Sequence, residues 1–129
     1  MNDRGSASLL LIAVAALVLL FGAALGSVGA YYRVRIEATT AADAAALAAA
    51  PITFLPFGAT GTAQQEAARL ARANGARLVS CQCAHDPSWD PRTVHVEVEI
   101  VANLWPAGAI PVRATGKAEF TPVRLLSSE

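Results

Sequence analysis

Cysteine and histidine are scarce in this chain, with two of each in 129 residues. A structural zinc site needs a second pair of ligands at a distance, and no further cysteine supplies one. Excess charge is also missing, since 10 Lys+Arg stand against 10 Asp+Glu. Without a basic stripe or a Lys/Arg-rich tail to follow a phosphate backbone, the chain is not a general nucleic-acid binder. It has no G-x-S-x-G, P-loop or H-E-x-x-H motif, and its carboxylates form no pair suited to acid/base work. The reading is non-enzymatic, with no catalytic residue, cofactor, metal or small-molecule substrate.

Apolar sequence is what the chain does have. Its hydrophobic share of 54% exceeds the usual ~45–50% of soluble domains, and the excess is concentrated near the N-terminus. From Gly5 to Tyr32 there is no charged residue, a run of about 28 positions where roughly 20 span a bilayer's hydrocarbon. Helix-compatible sequence then continues without proline from Ser6 to Ala50. At 1.5 Å per residue that helix is roughly 65 Å long, so half of it projects from the membrane. The competing reading is a cleaved secretory signal, with MNDR as its charged start and SVGA before Tyr31 as its cleavage site. In that case the product is a small binding domain, secreted or anchored, with no spine. Charge does not decide orientation, because Arg4 and the terminal amine flank one side and Arg33 and Arg35 the other.

Two stretches of the helix suit close packing. Gly22 and Gly26 in GAALG have G-x-x-x-G spacing, which lets another helix approach, although glycine is also common in membrane helices. In TTAADAAALAAAP, Ala41, Ala42 and Ala45 give a smooth rod of strong helix formers. Helical periodicity places Val34, Ala38, Ala41 and Ala45 on a dry stripe beside a wet face of Arg33, Glu37 and Thr40. Pro51 is expected to end the rod.

Beyond it, PITFLPFGATG reads as an apolar loop in which Phe54 and Phe57 plug the small domain, with contact to lipid headgroups as the alternative. Thr62 followed by Gln65 is a capping-box signature, and the helix it opens stops at Gly75. In that helix Ala67, Leu70, Ala71 and Asn74 share the inner face. The period then changes to two. Val94, Val96, Val98, Ile100, Ala102 and Leu104 alternate with His95, Glu97, Glu99 and Asn103. After a WPAGAIP turn region, Val112, Ala114, Ala118 and Phe120 point inward, and Arg113, Thr115, Lys117 and Glu119 outward. These basic residues face Glu97 and Glu99 across the ladder. With RLVSCQC as a shorter strand, the expected fold is α+β: a long transmembrane helix, a short helix and an antiparallel sheet of about three strands. The division is 1–50 for the spine, 51–62 for the loop and 63–129 for the small domain.

CQCAH is the one reactive-looking cluster. Continued alternation puts Val79, Cys81, Cys83 and His85 on one face, with Asp86 nearby. The two thiols are expected to fill the core as small hydrophobes. A Cys81 to Cys83 bridge is disfavoured because side chains two apart on a strand run parallel, while an intermolecular bridge outside the cytoplasm stays open. Trp89, two residues from Pro87 and Pro91, and Trp105, next to Pro106, are expected to cap domain edges, with partner binding as the alternative.

RGSASLLLIAVAALVLLFGAAL, AADAAALAAA and ARANGARLVSC, followed by the alternating strand, together resemble the TadE/TadG-like Flp pilus-assembly proteins. Within that family the chain resembles the short actinobacterial form found near secretion genes. The resemblance extends over nearly the whole chain. It implies a minor pilin or pseudopilin of the Flp (type IVb, tight-adherence) system, anchored once in the plasma membrane, with a cytoplasmic N-terminus and an extracytoplasmic head. Its implied partners are membrane lipid and other pilus or secretion-apparatus subunits, copies of itself included. In related pilins a membrane peptidase cuts after a glycine, and a glutamate at the fifth mature position aligns subunits. Gly5 and Ser6 fit the cut, but the fifth residue after it is Leu10.

Overall fold

A computed structural model describes residues 4–54 and 61–125 of the chain. Helix α1 runs unbroken over Arg4–Ile52, and α2 covers Ala63–Ala73. Strands β1 (Arg77–Gln82), β2 (Arg92–Leu104) and β3 (Gly108–Phe120) form an antiparallel sheet in the order β1-β2-β3. A 3-10 turn, Pro122–Leu125, follows. This is the α+β arrangement that the change of period predicts.

Local chemistry explains most boundaries. Pro51 stays within α1 as its penultimate residue, one position beyond the expected stop. Its missing N–H ends the i→i−4 ladder, and the chain leaves through tighter bonds, from Thr53 N–H to Ala50 O and from Phe54 N–H to Pro51 O. Thr62 and Gln65 make the reciprocal capping box, at 3.2 and 3.0 Å. Gly75, at φ +74°, closes α2. Its N–H reaches Arg72 O, and Ala76 N–H reaches Ala71 O, the two bonds of a Schellman motif. Asn74 departs from expectation: it is exposed and caps the helix with its amide on Leu70 O, because the inner face has already turned away.

Strand β2 buries Val94, Val96, Val98, Ala102 and Leu104, as its alternation requires. The region read as a turn is shorter than expected. Strand β3 starts at Gly108 and carries Pro111 opposite Val101. A proline is tolerated there because β3 is an edge strand.

The core lies between the sheet and one face of α1 and α2. Ala41, Ala42, Ala45, Ala46 and Ala49 of α1 meet Ala67 and Ala71 of α2 and Val94, Val96 and Val98 of β2. A second cluster joins Ala38 to Ala102, Leu104 and Val112, with Tyr31 and Val34 packed against it. The outer half of α1 therefore supplies one wall of the head's core. Phe54 plugs the far end, its ring 4.8 Å from Trp89 and 6.2 Å from Phe120. Phe57 lies outside the described residues.

On the face of the sheet turned away from the helices Arg113 meets Glu97 and Glu99 as expected, whereas Lys117 lies opposite His95 rather than a glutamate. Glu99 sits between two arginines, with Arg77 Nη2 at 2.8 Å and Arg113 Nε at 3.0 Å. The Arg77 and Arg113 hydrogen bonds hold its carboxyl below the ordinary glutamate value of 4.5. A depressed folded-state value means that the stabilisation is present above the unfolded value and is lost as pH falls through the folded one. Wild-type protein in detergent is thus expected to lose more melting temperature than Glu99→Gln as pH drops from about 5 to about 3. Equal losses in paired thermal melts would contradict this role.

Candidate functional site

Two faces of α1 have opposite fates, and helical geometry decides which residue meets which. The head touches one side in a ladder. Ser27 Oγ donates to Trp105 O at 2.8 Å, Ala38 meets Leu104 and Val112, and Ala42 backs directly onto Gly116. At 3.6 residues per turn, the residues on the opposite side are Val18, Gly22, Leu25, Gly29, Ile36, Thr40, Asp43 and Leu47. The large members of that stripe are all exposed, Leu25 at 72% and Leu47 at 65%. Among the described residues, nothing comes within 4 Å of a Cβ built on Gly22, Gly26 or Gly29.

The residues singled out for packing therefore separate into two groups. Ala41, Ala42 and Ala45 are fully buried against the chain's own sheet and α2, so they are used within the subunit. Gly22 and Gly26 belong to the uncovered portion. The backbone at Gly5 and Ser6 is helical, continuous with the rest of α1. Residues 7–26 of this helix are all exposed, and the helix is long and apolar enough to cross a membrane once.

Cys81 and Cys83 are bonded to one another, which corrects the reading of two core thiols. Two features of β1 explain the difference. The ladder shifts between Leu78 and Ser80, so Val79 is an extra residue, and Leu78 and Cys81, rather than Val79 and Cys81, pack against the core. Strand pairing then ends at Gln82, the pleat lapses, and the Cα atoms of the two cysteines are 5.3 Å apart, within disulfide range. With each sulfur bonded to the other, CQCAH has no thiolate to offer a metal.

Arg92 organises the loop after this bridge. Its guanidinium donates to the carbonyls of Asp86, Ser88 and Asp90 and lies 5.7 Å from the Phe54 ring centroid. Hydrogen bonds from Ser88 hold the Asp86 carboxyl below its ordinary value. The recess here is lined by Thr53, Gln64, Cys83, Asp86 and Arg92. Its charged groups are engaged in holding the loop. Arg92, Gly116 and Ser27 all escaped the sequence reading. Gly116, a glycine inside an alternating strand, carried the one available signal of close backbone approach.

Trp89 is half exposed and caps Phe54 edge-on, as expected. Trp105 does not cap: it is 79% exposed at the tip of the β2–β3 hairpin.

Residues 5–51 match the Tad family model, described as "Putative Flp pilus-assembly TadE/G-like". The match covers the spine and ends where the head's loop begins, so ARANGARLVSC and the strands fall outside it. No curated protein matches the chain. No solved structure matches it either.

Proposed function

We propose, from the Tad match over residues 5–51, that this chain is a non-enzymatic, minor-pilin-like component of a Flp (type IVb, tight-adherence) pilus or related secretion apparatus. It works by lateral helix packing in and just above the plasma membrane. The observation that carries this reading is the bare face of α1. From Ser27 onward the head occupies one side and leaves the opposite side, through Gly29 and Ile36 to Leu47, uncovered, while the membrane half, Val18, Gly22 and Leu25 included, is exposed all round. Small residues among large ones on such a face favour close approach by another helix. The neighbours are other pilus or secretion-apparatus subunits, copies of this chain included.

The N-terminus is cytoplasmic in this reading and the head extracytoplasmic. The Cys81–Cys83 disulfide supports that orientation, because such bonds persist in oxidising compartments. Functionally the chain divides into spine 1–50, linker 51–62 and head 63–129, with the outer spine shared as a wall of the head.

The test is photo-crosslinking in native membranes. A photoreactive amino acid at Leu25 or Ile36 is expected to give adducts with pilus-assembly subunits or with a second copy. The same group at Glu119, on the outward sheet face, is expected to give none. Adducts from Glu119 alone would favour the other reading, a small binding head whose helix is only a tether.

A further inference from the structure

The tip of the β2–β3 hairpin has a composition unlike the rest of the sheet. Near its middle the outward face carries Glu97, Glu99, Arg113 and Lys117, whereas between Glu99 and Arg113 the chain has no charged residue at all. Outward positions there are Val101, Asn103, Ala109 and Pro111, all exposed. Residues 105–109 are exposed too, including the indole of Trp105. Exposure of a large aromatic on an uncharged tip needs a physical reason.

The position of the tip along α1 supplies one. Contacts between sheet and helix descend in order, from Gly116 on Ala42, through Leu104 and Val112 on Ala38, to Trp105 O on Ser27. Counting about 20 residues from Gly5, where the uncharged run begins, puts the end of the hydrocarbon near Ala24. Ser27 lies less than one turn beyond it. Tyr31 and Tyr32 follow one turn higher, with Tyr32 exposed, and the first charges beyond are Arg33 and Arg35. The hairpin tip is therefore held at the depth where the bilayer changes from acyl chain to headgroup, the layer in which Trp and Tyr are enriched.

We propose that the hairpin tip is a lipid-contacting site, with Trp105 seated in the interfacial layer of the membrane that α1 spans. Tip and helix then touch the bilayer at two separated points, which fixes the tilt and rotation of the head. This inference rests on the single-pass reading of α1. The occupant is phospholipid, because the tip is uncharged and is tied by Ser27 to the end of the membrane helix.

The experiment uses full-length Trp89→Phe, in which Trp105 is the sole tryptophan, reconstituted into phosphatidylcholine/phosphatidylglycerol vesicles with or without brominated acyl chains. Emission is expected to be blue-shifted, to lose most of its intensity in brominated vesicles and to resist aqueous iodide. Full-length Trp105→Phe, reporting Trp89, is expected to keep its intensity in both vesicles and to be quenched by iodide. Trp105 emission that ignores bromolipid and is quenched by iodide would overturn the proposal. So would emission shielded from iodide, insensitive to bromolipid and uncovered as protein is diluted into lipid, because a second copy would then cover the tip. Flotation with vesicles after an alkaline wash reports the anchor separately. Retention with unquenched Trp105 defeats only the lipid site, and loss of flotation defeats both.

Discussion

Gly116→Ala is expected to lower the melting temperature of the head by upward of about 12 °C. Strand β3 crosses α1 so closely that a Cβ on Gly116 would lie 2.4 Å from both the carbonyl carbon and oxygen of Ala42, and 2.6 Å from Asp43 N. All three atoms are backbone, so no side-chain rotation relieves the contact. Either the helix or the strand must move, and each is fixed elsewhere: β3 by its full ladder with β2, and α1 by its buried alanines. Overpacking costs about 1–3 kcal/mol and occasionally more, and a backbone-on-backbone clash belongs at the upper end. For a head of this size, each kcal/mol shifts the midpoint by roughly 4–8 °C. The measurement is thermal unfolding of full-length protein in detergent, followed by circular dichroism. Adding Ala42→Gly is expected not to rescue the variant, since the clashing atoms of Ala42 remain. A midpoint within about 2 °C of wild type would show that strand and helix do not meet this closely.

The second large effect is Ala45→Leu. Ala45 is wholly buried in the seam between α1 and the sheet, in the cluster that contains Val94, Val96 and Val98. Leucine adds three carbons to a site with no room beside it. A loss of about 1–3 kcal/mol is expected, with the sheet lifted from the helix. Leu47→Ala, two positions along on the bare face, is expected to change stability by no more than about 0.5 kcal/mol. Urea titration of both variants separates them through their midpoints. Equal tolerance at 45 and 47 would mean that the alanine tract does not hold the head.

This contrast accounts for the alanine-rich stretch. A helix lined with larger residues would stand farther from the sheet, and the approach of Gly116 to Ala42 would be lost. The smooth surface serves the chain's own head, while Leu25, Ile36 and Leu47 on the opposite face stay exposed.

Much of the fold was legible because local signals and burial agree. The strict alternation of β2, the Thr62 and Gln65 box and the stop at Gly75 each state their structure within a few residues. What stayed hidden depends on partners distant in sequence or on a single inserted residue. The bulge at Val79 leaves no mark in RLVSCQ, yet it decides which side of β1 packs inward and so changes how Cys81 is presented. The bond between Ser27 and Trp105 joins residues 78 apart, and no periodicity reports it. The alanine stripe was visible as a packing surface, but only the position of the sheet shows that it is fully used within the subunit. At the candidate site, GAALG could be read as a packing motif, while the wider stripe through Gly29 and Ile36 needed the head's placement to define which face is bare.

The retained spine is tested most directly by intact mass and N-terminal sequencing of protein taken from its native membrane fraction. A mature chain that keeps the whole apolar helix is expected, and a start at Ser6 would add a cut after Gly5 with Leu10 at the fifth mature position. A chain beginning at Met1 would keep the spine and remove prepilin-type maturation. A chain beginning at Tyr31 would contradict the central claim, because the helix segment holding Leu25, both glycines of GAALG and the Ser27 contact to Trp105 would be absent from the working protein.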